Sequence, residues 1–284
     1  MANSAIGLKS PIGLQDTRNH IINSEFNLWQ RGLTLSEGST GAGKVQSFFV
    51  ADRWRYYAQT NSTGNGSTAP DVVVSRRNFL SGVPHGTVNK SNYYLNVFFG
   101  SSAAGAVEGG FSGGTGAGNF IALIQDIDDC KTLSSKSAML SFWAKSDIPN
   151  QRIATKLKQS FAAGTADVEI AGYTGAGHTL DNVWRMYKTE FNVPSTIGQA
   201  ITGPSGDNAL QCVFYFHKCI GHGTPTNHAG VTFELAPTGV SGNISLAQVQ
   251  LEQGTNATEF DKKNEMFEIR QCQRYYEKSY DLDV

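Results

Sequence analysis

At 284 residues the chain can bury a substantial core, as one large domain with additions or as two small ones. Its 23 Lys and Arg against 24 Asp and Glu give a net charge of −1, which removes the electrostatic reason to bind nucleic acid or an anionic membrane. No run of about 18 apolar residues occurs, the opening MANSAIGLKSPIGLQ lacks a secretion-signal pattern, and Cys130, Cys212, Cys219 and Cys272 are too scattered for a disulfide framework.

We therefore expect no membrane insertion, and free thiols in a protein made in a reducing cytoplasm. The abundance of turn formers (31 Gly, with many Ser, Thr and Asn) and of aromatics (16 Phe, 10 Tyr, 4 Trp) describes short strands joined by frequent turns.

Residues 1–20 carry Gly7, Pro11 and Gly13 and only isolated apolar side chains, so they form an extended N-terminal arm or docking segment without a core of its own. From residue 21 short apolar runs recur between Gly-rich breaks, at 21–29, 45–57, 72–79, 93–99, 120–127, 138–145, 153–161, 183–193, 210–217, 231–235 and 244–251. Such spacing predicts an all-β fold, a two-sheet antiparallel sandwich over 21–260. The breaks at 60–70, 100–118 and 221–230 read as loops.

Alternation is clearest where Leu140, Phe142 and Ala144 share one face and Ser141, Trp143 and Lys145 the other. In the last strand Ile244 and Leu246 occupy even positions and Val249 and Leu251 odd ones, so a β-bulge is expected near Ala247 or Gln248. Over 261–284 the period lengthens. Met266, Ile269, Cys272 and Tyr276 recur every three or four residues behind Asn264 as N-cap, with Glu265 and Glu268 in the first turn, which predicts a short C-terminal helix.

Three clusters invite a chemical reading. GSTGAGKV, residues 38–45, follows the phosphate-loop pattern as far as Lys44 but puts Val45 where a Ser or Thr should bind Mg²⁺; the segment before it is polar and the segment after it looks like a strand, so a surface loop is the better reading. Cys212, His217, Cys219, His222 and His228 are zinc-type donors, yet their spacing matches no known pair arrangement, and a buried thiol beside loop histidines explains them. Glu108, Asp126, Asp128 and Asp129 could supply the paired carboxylates of glycoside hydrolysis, but turn acids before 131–135 are the simpler explanation. No Cys sits in a known protease signature, and we expect a protein that is not an enzyme.

Four segments in order carry a resemblance: IINSEFNLWQRG (21–32), VADRW (50–54), LIQDIDDCKTLSSKSAMLSFWAKSD (123–147) and ISLAQVQLEQGTNATEFDKKNEMFEIRQCQRYYEKS (244–279), the last with its Gln-Leu-Glu-x-Gly and Cys-Gln-Arg-Tyr-Tyr elements. Together they resemble the tail-fibre and capsid-fibre proteins of tailed bacteriophages that carry a carbohydrate-binding-module-like jelly-roll domain. The resemblance implies a jelly-roll sandwich located on a virion. It implies other virion proteins as partners, a homo-oligomer with a trimer favoured, and host-surface glycans as a further partner.

It implies a fibre or spike with an adhesive role, the alternatives being a capsid decoration or tail adaptor without glycan binding, or a polysaccharide depolymerase. Modules of this kind often hold structural Ca²⁺ near the first and last strands, which points to Asn23 and Glu25, although Gln248 and Gln250 replace the acids of the last strand. No other cofactor is expected. For glycan contact, Trp54 and Tyr56 share a face expected to be core, leaving Tyr57 and Trp143 as the surface aromatics. Phe267 and Tyr275 are the spare apolar residues of the helix and the candidates for an assembly contact.

Overall fold

Apolar side chains at alternate positions of successive strands give each strand one buried face, and two sheets bring those faces together. A computed structural model describes residues 18–37, 45–59, 72–80, 91–100, 120–162, 165–172, 177–201, 208–218 and 241–276. One sheet has the order β1 (Thr34–Glu37), β4 (Val72–Asn78), β5 (Tyr93–Phe99), β13 (Gly242–Gln253), β7 (Ser137–Ser146), β11 (Arg185–Asn192). The other runs β10 (His178–Thr179), β8 (Arg152–Ser160), β12 (Ala209–Lys218), β6 (Phe120–Asp128), β3 (Trp54–Gln59), β2 (Val45–Phe49), with β9 (Val168–Ala171) also on β8. Every pairing is antiparallel, and the chain repeatedly crosses from one sheet to the other, so the fold is a jelly-roll sandwich with one short C-terminal helix, α1 (Glu265–Gln273).

The two sheets meet through Leu140, Phe142 and Ala144 of β7 and Leu95 and Val97 of β5, packed against Trp54 and Tyr56 of β3 and Cys212, Phe214 and Phe216 of β12. Phe142 meets Phe214 edge-on at 5.1 Å, and Trp54 lies 6.0 Å from Phe214 and 5.2 Å from Phe26. Each such pair adds about 0.5–1.5 kcal/mol beyond its buried area.

The bulge of β13 falls where the pattern put it. Ala247 pairs with Trp143 but Gln250 with Ser141, and Gln248 takes a φ of 49°. The extra residue returns Val249 and Leu251 to the core face already occupied by Ile244 and Leu246, and all four are fully buried.

Several expected elements differ. The apolar run at 21–29 is not a strand: it is a buried strap in which Asn23 and Phe26 have left-handed φ values of 52° and 56°. The run at 45–57 is a hairpin, β2 and β3, because Arg53 turns at a φ of 71° and Val50 N–H donates to Trp54 O at 2.9 Å. The segment before the glycine-rich loop forms β1, held by pairing with β4 and by Leu35, which packs against the core. β9 and β10 are four- and two-residue strands too short to register as runs, β11 begins at Arg185 rather than at 183, and the run 231–235 lies outside the described residues.

The strap crosses the end of the sandwich beside the second half of β13. β5 pairs with β13 only from Gly242 to Leu246. Beyond that point the strap takes its place: His20 N–H donates to Leu251 O at 2.9 Å, Val249 N–H to Ser24 O at 3.0 Å, and the Asn19 side chain bridges Val249 O and Leu251 N–H. Residues 18–20 thus pack with the domain rather than with an arm. On its other side the strap is held by Gln125 of β6, whose amide accepts from Ile22 N–H at 2.7 Å and donates to Ile22 O at 2.8 Å. Gln125→Ala leaves both buried backbone groups unpaired, and a loss of about 2–4 kcal/mol in urea unfolding is expected, with the slope unchanged.

Helix α1 closes over the strap. Asn264 caps it as expected, accepting from Met266 N–H at 3.0 Å. Its buried face is the anticipated one only in part: Cys272 is buried and Ile269 and Tyr276 are half-buried, but Met266 is 60% exposed and Glu268 is buried in its stead. Lys263 Nζ donates to Ile21 O at 2.6 Å, Glu268 faces Ser24 N–H at 3.4 Å, and Lys262 pairs with buried Glu25 at 3.3 Å.

Burial outweighs the nearby Lys263 and pushes the Glu268 carboxyl up to about 7, while burial lowers Lys263. An unfolded chain releases this proton near 4.5, so the folded state holds it longer and stability falls as pH rises across that window. Glu268→Gln keeps the shape without the charge. Its Tm relative to the parent should therefore become more favourable between about pH 5 and about pH 8, and a difference independent of pH would contradict the assignment.

Candidate functional site

On the outer face of the six-stranded sheet, outward-facing residues of four neighbouring strands enclose a groove. β4 contributes Arg77, β5 Tyr94 and Asn96, β13 Asn243 and Ser245, and β7 Lys145 and Ser146 at its end, joined by Asp147 and Asn182 from the loops that follow, around a hollow of about 350 Å³. Alternation places them there. Leu95 and Val97 point inward, so Tyr94 and Asn96 point outward, and Ile244 and Leu246 do the same for Asn243 and Ser245. A second hollow of about 620 Å³ adjoins it, sharing Ser146, Asp147 and Asn182 and adding Asp181, Arg185 and Tyr187.

The floor is a connected polar line. Ser245 Oγ donates to Asn96 Oδ1 at 2.9 Å, Asn96 Nδ2 to Asn243 Oδ1 at 2.9 Å, and Asn243 Nδ2 to Asp147 Oδ2 at 2.7 Å; the other Asp147 oxygen accepts from Asn243 N–H. Tyr94, which lines the hollow, belongs to an aromatic cluster beside it. Phe79, Tyr94 and Trp184 form a triad with ring centres 4.9–5.3 Å apart, Tyr94 meeting Trp184 edge-on, and Lys145 Nζ lies 5.4 Å above the Trp184 ring. Burial raises the Tyr94 hydroxyl pKa, so it stays protonated as a donor. In the adjoining hollow Arg185 donates to Asp181 at 2.7 Å and holds that carboxyl below its ordinary range.

The two surface aromatics singled out in the sequence do not meet. Trp143 lies half-buried on the same outer face as Lys145 but does not line the groove, whereas Tyr57 is on the opposite sheet, stacked on Phe120 at 5.3 Å within an outer cluster of Ala122, Ile124, Ala154, Val213 and Tyr215. Trp54 and Tyr56 are core, as expected. The groove residues were missed because Tyr94, Asn96 and Asn243 show only after strand pairing sets them side by side. The alternation of β5 was the available signal.

The other candidates are structural in their geometry. Asn23 spends its side chain on Leu28 O, Leu28 N–H and Asp52 O, and Glu25 takes Ser91 Oγ at 2.8 Å and Lys262, so the pair does not fit a calcium ion. Gln250 bonds Glu252 and accepts from Asp261 N–H at 2.7 Å. Asp129 accepts from Lys131 N–H in a turn, while Asp126 and Asp128 face Arg55 and Arg53. Cys212 is buried in the core, and no cluster of metal-ligating side chains occurs among the described residues. Residues 38–44, Glu108, Cys219, His222 and His228 lie outside them, and Val45 opens a strand, not a helix. Phe267 is half-buried, and Tyr275, 42% exposed, stacks beneath Arg53 at 3.4 Å.

No family model matches the chain, and no curated protein matches it. Among solved structures it is similar to the enzymatically active domain of bacteriophage CBA120 tailspike protein 4, with 11% identity and a TM-score of 0.38 over 84% of this chain; it spans 22% of that tailspike chain. It is similar to a family 11 carbohydrate-binding module of Clostridium thermocellum, with 12% identity and a TM-score of 0.36 over 78% of this chain and 98% of the module. A third is the CBM22-1 xylan-binding domain of Paenibacillus barcinonensis Xyn10C, with 9% identity and a TM-score of 0.36 over 86% of this chain and all of that domain.

Asp147→Ala removes both acceptors of Asn243. A stability loss of about 1–2 kcal/mol is expected, together with faster hydrogen exchange at the Asn243 amide, measured by NMR.

Proposed function

We propose that the chain is a glycan-binding protein of a tailed-bacteriophage particle, and that the groove on its six-stranded sheet is the binding site. The observation that carries the reading is the aromatic triad of Phe79, Tyr94 and Trp184 beside the hydrogen-bonded line Ser245, Asn96, Asn243, Asp147. A pyranose has an apolar C–H face and a rim of hydroxyls. Aromatic rings accept the first, and amides and carboxylates fixed on a rigid sheet accept the second. The virion context rests on the resemblance of residues 21–279 to fibre proteins, and from it follow the other virion proteins as partners and a trimer, in which several weak sites act together.

Binding suits this groove better than catalysis. Glycoside hydrolysis needs one carboxyl kept protonated as an acid and a second free to act as base or nucleophile. Here Asp147 is held on both oxygens by Asn243, and Asp181 is tied to Arg185.

Calorimetric titration with saccharides identified on a glycan array tests the reading. Tyr94→Ala and Asn96→Ala should each weaken binding at least about tenfold, while Tyr57→Ala on the opposite sheet leaves it within about twofold. An assembled, folded protein that binds no saccharide would overturn the adhesive role and leave a decoration or adaptor part.

A further inference from the structure

The groove also has a charge pattern that selects among glycans. Arg77 and Lys145 stand on opposite sides of the floor formed by Asn96 and Ser245. The register fixes this: Arg77 pairs with Tyr94, Asn96 with Ser245, and Ser245 with Lys145. In the strand order β4, β5, β13, β7 the two cations are three strand spacings apart, about 14 Å across the sheet, and offset by two residues along the strands.

Neither cation has a carboxylate within ion-pair distance among the described residues, although Arg31, Arg53, Arg55, Lys158, Arg185 and Lys262 all do. The one carboxylate lining the same hollow, Asp147, is already satisfied by Asn243 on both oxygens. Lys145 instead lies over the Trp184 ring, beside Tyr94 at the edge of the hollow. A neutral saccharide leaves both charges unanswered; one bearing an anion near its stacked ring supplies the missing partner, and charge-assisted hydrogen bonds are about twice as strong as neutral ones.

We infer that the ligand of the groove is an anionic glycan, held with its carboxylate or phosphate between Arg77 and Lys145. The inference rests on the glycan-binding reading above and narrows it. The overall charge of −1 gives no hint of it, because the cations matter only where the fold gathers them.

The test is an array of uronate-containing, sialylated and phosphorylated saccharides, each printed beside its carboxyl-reduced or dephosphorylated counterpart and probed with the full-length protein. Charged members of one class should bind at least about tenfold better than their neutral partners. Binding should weaken as salt rises and fall about tenfold in both Arg77→Gln and Lys145→Gln. Both residues stand on the outer face of the sheet, so an unchanged Tm distinguishes lost recognition from lost folding. Neutral members bound as well as charged ones, with both variants at parental affinity, would overturn the anionic preference and leave the glycan reading standing. No binding to any member by folded protein would overturn both.

Discussion

The sandwich depends on what happens at one residue of its longest described strand. At Gln248 β13 gains an extra residue, and from that point its free edge is no longer completed by β5 but by the strap at 18–31. Without the bulge, Val249 and Leu251 would face away from the core that Ile244 and Leu246 share, a loss of two fully buried side chains at about 1.5–3 kcal/mol each. With it, Val249 N–H donates to Ser24 O of the strap, beyond the point where β5 stops pairing. A backbone irregularity that serves the core thus also creates the attachment point for the strap.

The strap in turn organises most of the segments on which the resemblance to fibre proteins rests. Ile22 is gripped by Gln125, Asn23 receives the Trp54 indole N–H at 3.1 Å, Ser24 and Ile21 meet Glu268 and Lys263, and Arg31 stacks on Tyr276 at 3.6 Å. The residues that make the sequence recognisable therefore hold the end of the sandwich together. They are not the residues that line the groove, with the exception of Lys145, Ser146, Asp147 and Ser245, which lie within two of those segments. A family resemblance built on a closure locates a fold and leaves the ligand to be read from the face.

This division also sets how much could be read in advance. The alternation of β7 and the phase change in β13 predicted their faces and the bulge, because side-chain period is a property of the strand itself. The strap could not be told from a strand. It has the apolar residues of one, but its backbone partners are side chains and edges far along the chain, with Gln125 103 positions and Lys263 242 positions away. The helix was legible only in part for a related reason: its spacing rightly marked Cys272 for burial but also Met266, whereas the surface it covers exposes backbone groups of the strap, and those call for Glu268 and Lys263. Tyr57 and Trp143 looked equivalent as half-exposed aromatics of strands, and only the sheet assignment puts them on opposite sides of the molecule.

Charge shows the same dependence on the fold. The near balance of 23 cations and 24 acids describes the chain, not its surfaces. Around the strap the acids Glu25, Asp52 and Glu268 are each almost wholly buried, and Glu25 and Asp52 are matched by Lys262 and Arg31 at the margin. Glu268 has only Lys263 nearby and relieves the cost by holding its proton. Acids used in closing one end of the sandwich are unavailable elsewhere, and in the groove on the six-stranded sheet Arg77 and Lys145 have no ion-pair partner among the described residues. A nearly neutral chain can in this way carry an uneven distribution of charge, because acids paired at one end of the sandwich do not face cations on the outer face of a sheet.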